Sequence, residues 1–129
     1  MRIAYLVPIS LHLLEPEGVD TAVAPVGFQY AFGAYLVREY LRRGHEVSVV
    51  TTVHRLPRPF SWSNGRLSID AVPSRRGYLF CLDDFRRERR LMREAVLRRG
   101  PDVLHAQWTY EFAHAALDTG LPCLITARD

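Results

Sequence analysis

From Tyr35 to Thr52 the chain reads as a helix, a glycine stop and a buried strand, and this order limits the possible folds more than any other stretch. Phe32, Leu36, Val37, Tyr40 and Leu41 recur at helical spacing, while Arg38, Glu39, Arg42 and Arg43 fall on the opposite side. Glu39 stands one turn before Arg43, and two arginines in the last turn suit the negative end of the helix dipole. Gly44 supplies the left-handed residue that ends the helix. Glu46-Val47-Ser48-Val49-Val50-Thr51-Thr52 follows, too short for a helix and too apolar for a surface strand. With Met1 to Pro8, an apolar run that stops at proline, it predicts a strand-helix-strand unit with parallel strands and a right-handed crossover.

The remaining chain repeats the alternation. Pro8 to Val26 is a long connection punctuated by Pro16, Gly18 and Pro25, and connections of that length inside compact domains are functional or disordered. The first helix opens near Gly27 to Phe32. His54 to Gly65 carries Pro57 and Pro59 and closes on the turn signal Asn64-Gly65. Arg66 to Val72 alternates Leu67, Ile69 and Ala71 with polar neighbours, which predicts a half-exposed third strand. A second helix runs from an N-cap at Asp83 or Asp84 to Arg99, stopped by Gly100-Pro101. Its expected core side is Phe85, Met92, Ala95 and Val96, and its outer side carries seven arginines against Glu88 and Glu94. Pro101 to Ala106 is the fourth strand, Thr109 to Asp118 a short helix and Leu121 to Thr126 the fifth strand. The predicted class is α/β, a Rossmann-like doubly wound parallel sheet of about five strands. Residues 1–129 are expected to form one domain that opens a larger fold or pairs with another chain, since no helix follows to cover the fifth strand.

Composition removes several chemistries. All seventeen basic residues are arginine, so a Walker A loop, a Schiff base and pyridoxal chemistry are excluded for want of an amine. Cys81 and Cys123 make no disulfide framework, and Cys123 sits in an apolar strand as a small hydrophobe. No window approaches the ~18 unbroken apolar residues of a membrane span. Pro8, His12, Glu15, Glu17 and Asp20 interrupt what would otherwise resemble a signal peptide, so the chain is expected in the cytoplasm. Strand one ends in Pro8-Ile9-Ser10-Leu11-His12, without the Gly-x-Gly-x-x-Gly of a dinucleotide fold. His45-Glu46 lacks the second histidine of a zinc protease, and no metal is expected.

In open parallel sheets ligands bind beyond the carboxyl ends of the strands, where the winding reverses. With strands one and four adjacent, that crevice gathers Pro8 to Ser10, Gly27-Phe28-Gln29, Thr51, Thr52, His105 to Trp108, and Arg128 with Asp129.

At Arg43-Gly44-His45-Glu46-Val47, at Pro101-Asp102-Val103-Leu104-His105-Ala106-Gln107-Trp108 and at Leu121-Pro122-Cys123-Leu124-Ile125-Thr126-Ala127-Arg128-Asp129, the chain resembles the N-terminal domain of the family 4 glycosyltransferases of GT-B fold. The resemblance spans the whole chain, with the three motifs in the family's order. It implies retaining transfer of a sugar from a nucleotide-sugar donor, without metal or other cofactor, in a cleft between two Rossmann-like domains. The donor would be held mainly by a C-terminal domain absent from this chain, so residues 1–129 are expected to be a fragment truncated before that domain. This segment would supply the acceptor side, for a sugar or a lipid-linked acceptor. The resemblance implies that His105 and Asp129 face the cleft and that the loop from Ile9 to Val26 shapes acceptor access; together with the crevice residues above, the expected substrate-binding set is Ser10, Gly27, Gln29, His105, Gln107, Trp108, Arg128 and Asp129, and no catalytic residue is assigned. The chain departs from the family at Gln107 and Arg128, where histidine is usual, and at Gly27, where a glycine pair is usual. An arginine at 128 could hold an anionic substrate group but could not shuttle a proton.

The residues also admit plainer roles. His105 closes a buried strand and reads equally as a hydrogen-bonded structural histidine. Trp108 and Tyr110 suit core packing as well as a cleft floor. The arginine-rich helix reads first as a solvated face, with contact to an anionic membrane at the inner face as the sharper alternative. No recognition motif accompanies the charge, so nucleic acid is not an expected partner. The competing function is a free-standing, non-catalytic flavodoxin-like module that binds a small molecule or a partner.

Overall fold

The computed structural model describes residues 1–127. One sheet contains β1 (Arg2–Leu6), β2 (Glu46–His54), β3 (Phe60–Ser63), β4 (Leu67–Ser74), β5 (Val103–Gln107) and β6 (Cys123–Thr126), in the order β3-β4-β2-β1-β5-β6. The helices are α1 (Phe32–Arg42), the short α2 (Leu79–Leu82), α3 (Arg86–Arg99) and α4 (Tyr110–Leu117), with a 3-10 helix at Leu11–Glu17. All neighbouring strands are parallel except β3 and β4.

The period of two along the strands divides the apolar residues between two cores. Tyr5, Val7, Val49 and Ile69 meet Val37 of α1 on one face, while Leu6, Val50 and Leu104 meet Met92 of α3 and Phe112 of α4 on the other. The helix-stop-strand unit forms as its sequence predicts. Gly44 takes φ 84° and donates its N–H to the Leu41 carbonyl, and β2 then pairs in register with β1 from Glu46 opposite Arg2.

Without its antiparallel edge, the sheet reads β4-β2-β1-β5-β6. Numbered by sequence among the parallel strands, this is the order 3-2-1-4-5 of a Rossmann half. A flavodoxin-like sheet runs 2-1-3-4-5, so the flavodoxin-like expectation is corrected by topology. The winding reverses between β1 and β5, which pair from Ile3 opposite Val103 to Leu6 opposite Ala106.

Several local expectations change. The strand β3 has no counterpart in the sequence reading: it is four residues long and follows two prolines, yet Phe60 and Trp62 both pack toward the α1 core across the Asn64-Gly65 hairpin. With that neighbour, β4 is buried rather than half-exposed. Its polar residues are matched, since Ser68 Oγ donates to Ser48 Oγ at 2.9 Å and Asp70 accepts from Arg99 Nε at 2.8 Å. α3 starts at Arg86, later than expected, because Asp84 and Phe85 both take positive φ; Asp83 still accepts a long 3.4 Å bond from the Arg86 N–H. Glu88, expected outside, is 1% exposed. It sits beneath Arg75, which donates to it from both backbone and guanidinium and also chelates Asp83. The long connection after β1 is folded, with Leu11, Leu14, Val19 and Ala24 buried in the α1 core.

Candidate functional site

The loops after the parallel strands converge at the carboxyl end of the sheet. After β1, Ser10 pairs antiparallel with Gly27, Phe28 N–H donates to Ile9 O at 3.0 Å, and Ser10 N–H donates to Tyr30 O at 3.2 Å. This strap requires glycine at 27. Its φ is 77°, and an added Cβ would lie 2.5 Å from the Ile9 carbonyl oxygen.

The strap sets Phe28 and Tyr30 against the start of the segment after β5. Trp108 has φ 85° and donates its N–H to Thr126 O, and its ring lies edge-on to Tyr30 at 5.7 Å and to Phe28 at 6.4 Å. Phe28 also approaches His54 at 6.0 Å and Phe112 at 6.4 Å. An aromatic rim thus spans the switch point, half-buried at Phe28 and Trp108.

Beside the rim, a pocket of about 310 Å³ opens at the end of β2, lined by Gly27, Phe28, Thr52, His54, Arg55 and Leu56 among others. Arg55 stands there at φ 61°, a costly conformation for a non-glycine residue and one that tends to occur where function holds it. It has no carboxylate partner among the described residues. Among the described residues, the buried Thr51 and Thr52 hydroxyls have no hydrogen-bond partner.

Below the rim, on the α1 face, lies a chain of polar groups. Tyr40 Oη meets His105 Nδ1 at 2.7 Å, and His105 Nε2 meets Thr126 Oγ1 at 2.8 Å. A neutral imidazole has one donor and one acceptor nitrogen, so both are engaged from within the chain. Burial lowers the His105 pKa below its ordinary value, favouring the neutral ring, while burial raises that of Tyr40. Tyr5 stacks on His105 at 4.9 Å and donates its hydroxyl to Gln107 Oε1.

The expected site residues therefore separate. Ser10 and Gly27 form the strap, and Trp108 the rim. His105 and Gln107, each 7% exposed, form the polar chain beneath. Gln29 is exposed next to the strap, and Arg128 and Asp129 lie outside the described residues. Sequence reasoning missed His54 and Arg55, whose only signal was a charged residue directly after an apolar strand. Glu111, in the first turn of α4, has a carboxyl that burial pushes up, with nearby Glu88 adding to the effect.

A family model described as Glycosyltransferase Family 4 matches residues 33–128, which include α1 from its second residue, every strand except β1 and all of the polar chain except Tyr5. The chain belongs to glycosyltransferase family 4. Among solved structures, this family 4 domain is similar to one from E. coli described as trehalose-6-phosphate bound with UDP-2-fluoro glucose, with TM-score 0.58 and 11% identity. The match covers 97% of the family 4 domain and 32% of the E. coli chain, so the domain spans about a third of that chain's length. At that identity the likeness is one of fold, a Rossmann-like half of a GT-B architecture. Comparison with curated proteins gives no match.

Proposed function

We propose that this glycosyltransferase domain forms the acceptor side of a cleft in which a sugar passes, with retention of configuration, from a nucleotide-sugar donor to an acceptor sugar or lipid-linked acceptor. The observation that carries the reading is the convergence, at the carboxyl end of the sheet of a family 4 chain, of the Gly27 strap and the Phe28–Tyr30–Trp108 rim beside the pocket at the end of β2. Aromatic faces suit the apolar faces of a sugar ring, and Arg55 offers a charge without a carboxylate partner beside them. Ser10, Gly27, Gln29 and Trp108 are the surface contacts of this proposal; His105 and Gln107 hold the end of β5 through the polar chain, and Arg128 and Asp129 are included as further proposed contacts.

A second Rossmann-like domain, C-terminal to this one in the natural polypeptide, holds the donor in this reading. The UDP-sugar in the similar E. coli structure makes a nucleotide sugar the natural first probe. No metal or other cofactor enters the proposed transfer. A lipid-linked acceptor would also account for a cytoplasmic enzyme lying peripherally at the inner membrane face. No helix among the described residues is long and apolar enough to cross a membrane.

The test compares residues 1–129 alone with the same residues joined to the donor domain, supplied with a panel of nucleotide sugars. Turnover is expected only from the joined protein, with the product anomer matching the donor by nuclear magnetic resonance. Turnover by residues 1–129 alone, or an inverted product, would refute the proposal.

A further inference from the structure

Between β4 and α3 the chain carries its most exposed large apolar side chains among the described residues: Tyr78 is 88% exposed and Leu82 is 84% exposed. Tyr78 precedes α2 and Leu82 is its last residue, and the base of this short helix is fixed. Phe80 stacks on Phe85 at 4.9 Å and 20°, and the loop that follows is tied down by Arg75 through Asp83 and the buried Glu88. Phe85 in turn approaches Tyr110, itself 59% exposed, at 6.4 Å. The apolar tips are therefore displayed on an anchored prominence.

Its flank is cationic. A shallow open groove runs along α3, lined by Asp83, Arg86, Arg87, Arg89, Arg90, Arg93 and Asp118. Arg89 is taken up by Asp84 and Asp118, and Arg93 donates to the Asp118 carbonyl. Arg98 and Arg99 turn back to the buried Asp70. Arg90 is only loosely paired, 3.9 Å from Glu94, and Arg76, Arg86 and Arg87 form no salt bridge among the described residues, Arg86 acting on Asp83 only at longer range. On this flank the guanidinium groups with neither a salt bridge nor a carbonyl acceptor thus belong to the segment before α3 and to its first turn, close in sequence to the apolar tips, rather than to the whole helix.

We propose that this prominence docks on an anionic bilayer, with Tyr78 and Leu82 entering the interfacial layer and Arg76, Arg86 and Arg87 pairing with lipid phosphates. Charge complementarity selects the anionic surface. The tyrosine suits a headgroup boundary, since its ring is apolar and its hydroxyl polar. A small convex tip fits a deformable interface better than a rigid protein surface, which would need a broader complementary patch. Two weak signals, apolar insertion and basic attraction, together give stable peripheral binding where one does not. Because α2 follows the parallel strand β4, the prominence lies at the same end of the sheet as the switch-point crevice. Docking would bring the crevice mouth toward the membrane plane, and that consequence alone rests on the proposed transfer to a lipid-linked acceptor.

The test is flotation of the full-length protein with phosphatidylcholine vesicles, with and without phosphatidylglycerol, in the absence of nucleotide sugar. Binding is expected only to the anionic vesicles. Changing Arg86→Gln with Arg87→Gln should weaken it by roughly 10- to 30-fold at low salt. Changing Tyr78→Ser with Leu82→Ser should weaken it by about tenfold or more, with circular dichroism unchanged because both side chains are exposed. A Tyr78→Trp variant should show blue-shifted emission on adding anionic vesicles. Three results would overturn the proposal: equal flotation with neutral and anionic vesicles, serine variants that float like the parent, or emission from the Tyr78→Trp variant that stays unshifted with anionic vesicles. A protein that floats but transfers no sugar sinks only the transfer reading; one that transfers sugar but never floats sinks only the docking.

Discussion

Glu88 has almost no surface, and its charge is tolerated because Arg75 donates to it at 2.9 Å from the backbone and at 2.7 Å and 3.0 Å from the guanidinium. Burial alone would push its carboxyl up; the bonds from Arg75 outweigh this and hold it below its ordinary value of 4.5. A carboxyl depressed in the folded state adds stability above its unfolded pKa and loses it as the pH falls through the folded value. Glu88→Gln should therefore cost about 2 kcal/mol at neutral pH, with Asp83 keeping Arg75 partly paired. The difference from the parent should shrink below pH 4.5, as followed by urea unfolding across a pH series. A cost that does not change with pH would show that the charge of Glu88 is immaterial. His105 illustrates the same scale differently. Its position at the end of an apolar strand was legible, but its two partners come from α1 and β6, 65 and 21 residues away. No local pattern announces such a pairing.

The decisive element is the strap that folds the 8–30 connection over the end of the sheet. Its length and glycine content identify it as special, but the buried Leu11 and Leu14 belong to a 3-10 turn, whose period gives neither the helical nor the strand signal. Gly27→Ala should cost about 2–4 kcal/mol in thermal unfolding, since the new Cβ adds a clash with the Ile9 carbonyl to the strain of a left-handed residue. Gly65→Ala is the control: φ is 95° there but nothing lies within 4 Å of the new Cβ, so only about 1–2 kcal/mol should be lost. Equal losses at the two positions would show that the close approach at Gly27 is relaxed at no cost. At α3 the helix itself was predictable from its periodicity. The destination of its arginines was not, because Asp70, Asp84 and Asp118, to which several of them turn, lie on other elements.

At the scale of the molecule, protection should follow position in the sheet. β1, β2, β4 and β5 have neighbours on both sides, whereas β3 and β6 are edges, and on β6 Leu124 is 59% and Ile125 36% exposed. Native-state hydrogen exchange should be slowest at Leu6, Val49 and Val50 and fastest, among strand amides, in β3 and β6. Exchange from β6 as slow as from β2 would contradict the edge assignment. The sequence by itself determined the alternation of strands and helices, the glycine stops and the parallel class, because each follows from residue spacing within one or two turns of chain. It also carried the family, through three short motifs. Only the tertiary structure decided the 3-2-1-4-5 order, the antiparallel β3, the burial of Glu88 and Asp70, and which site residues reach the rim rather than the layer beneath. Those outcomes depend on partners distant in sequence, and a polar side chain can be buried only once the fold has delivered the group that neutralises it.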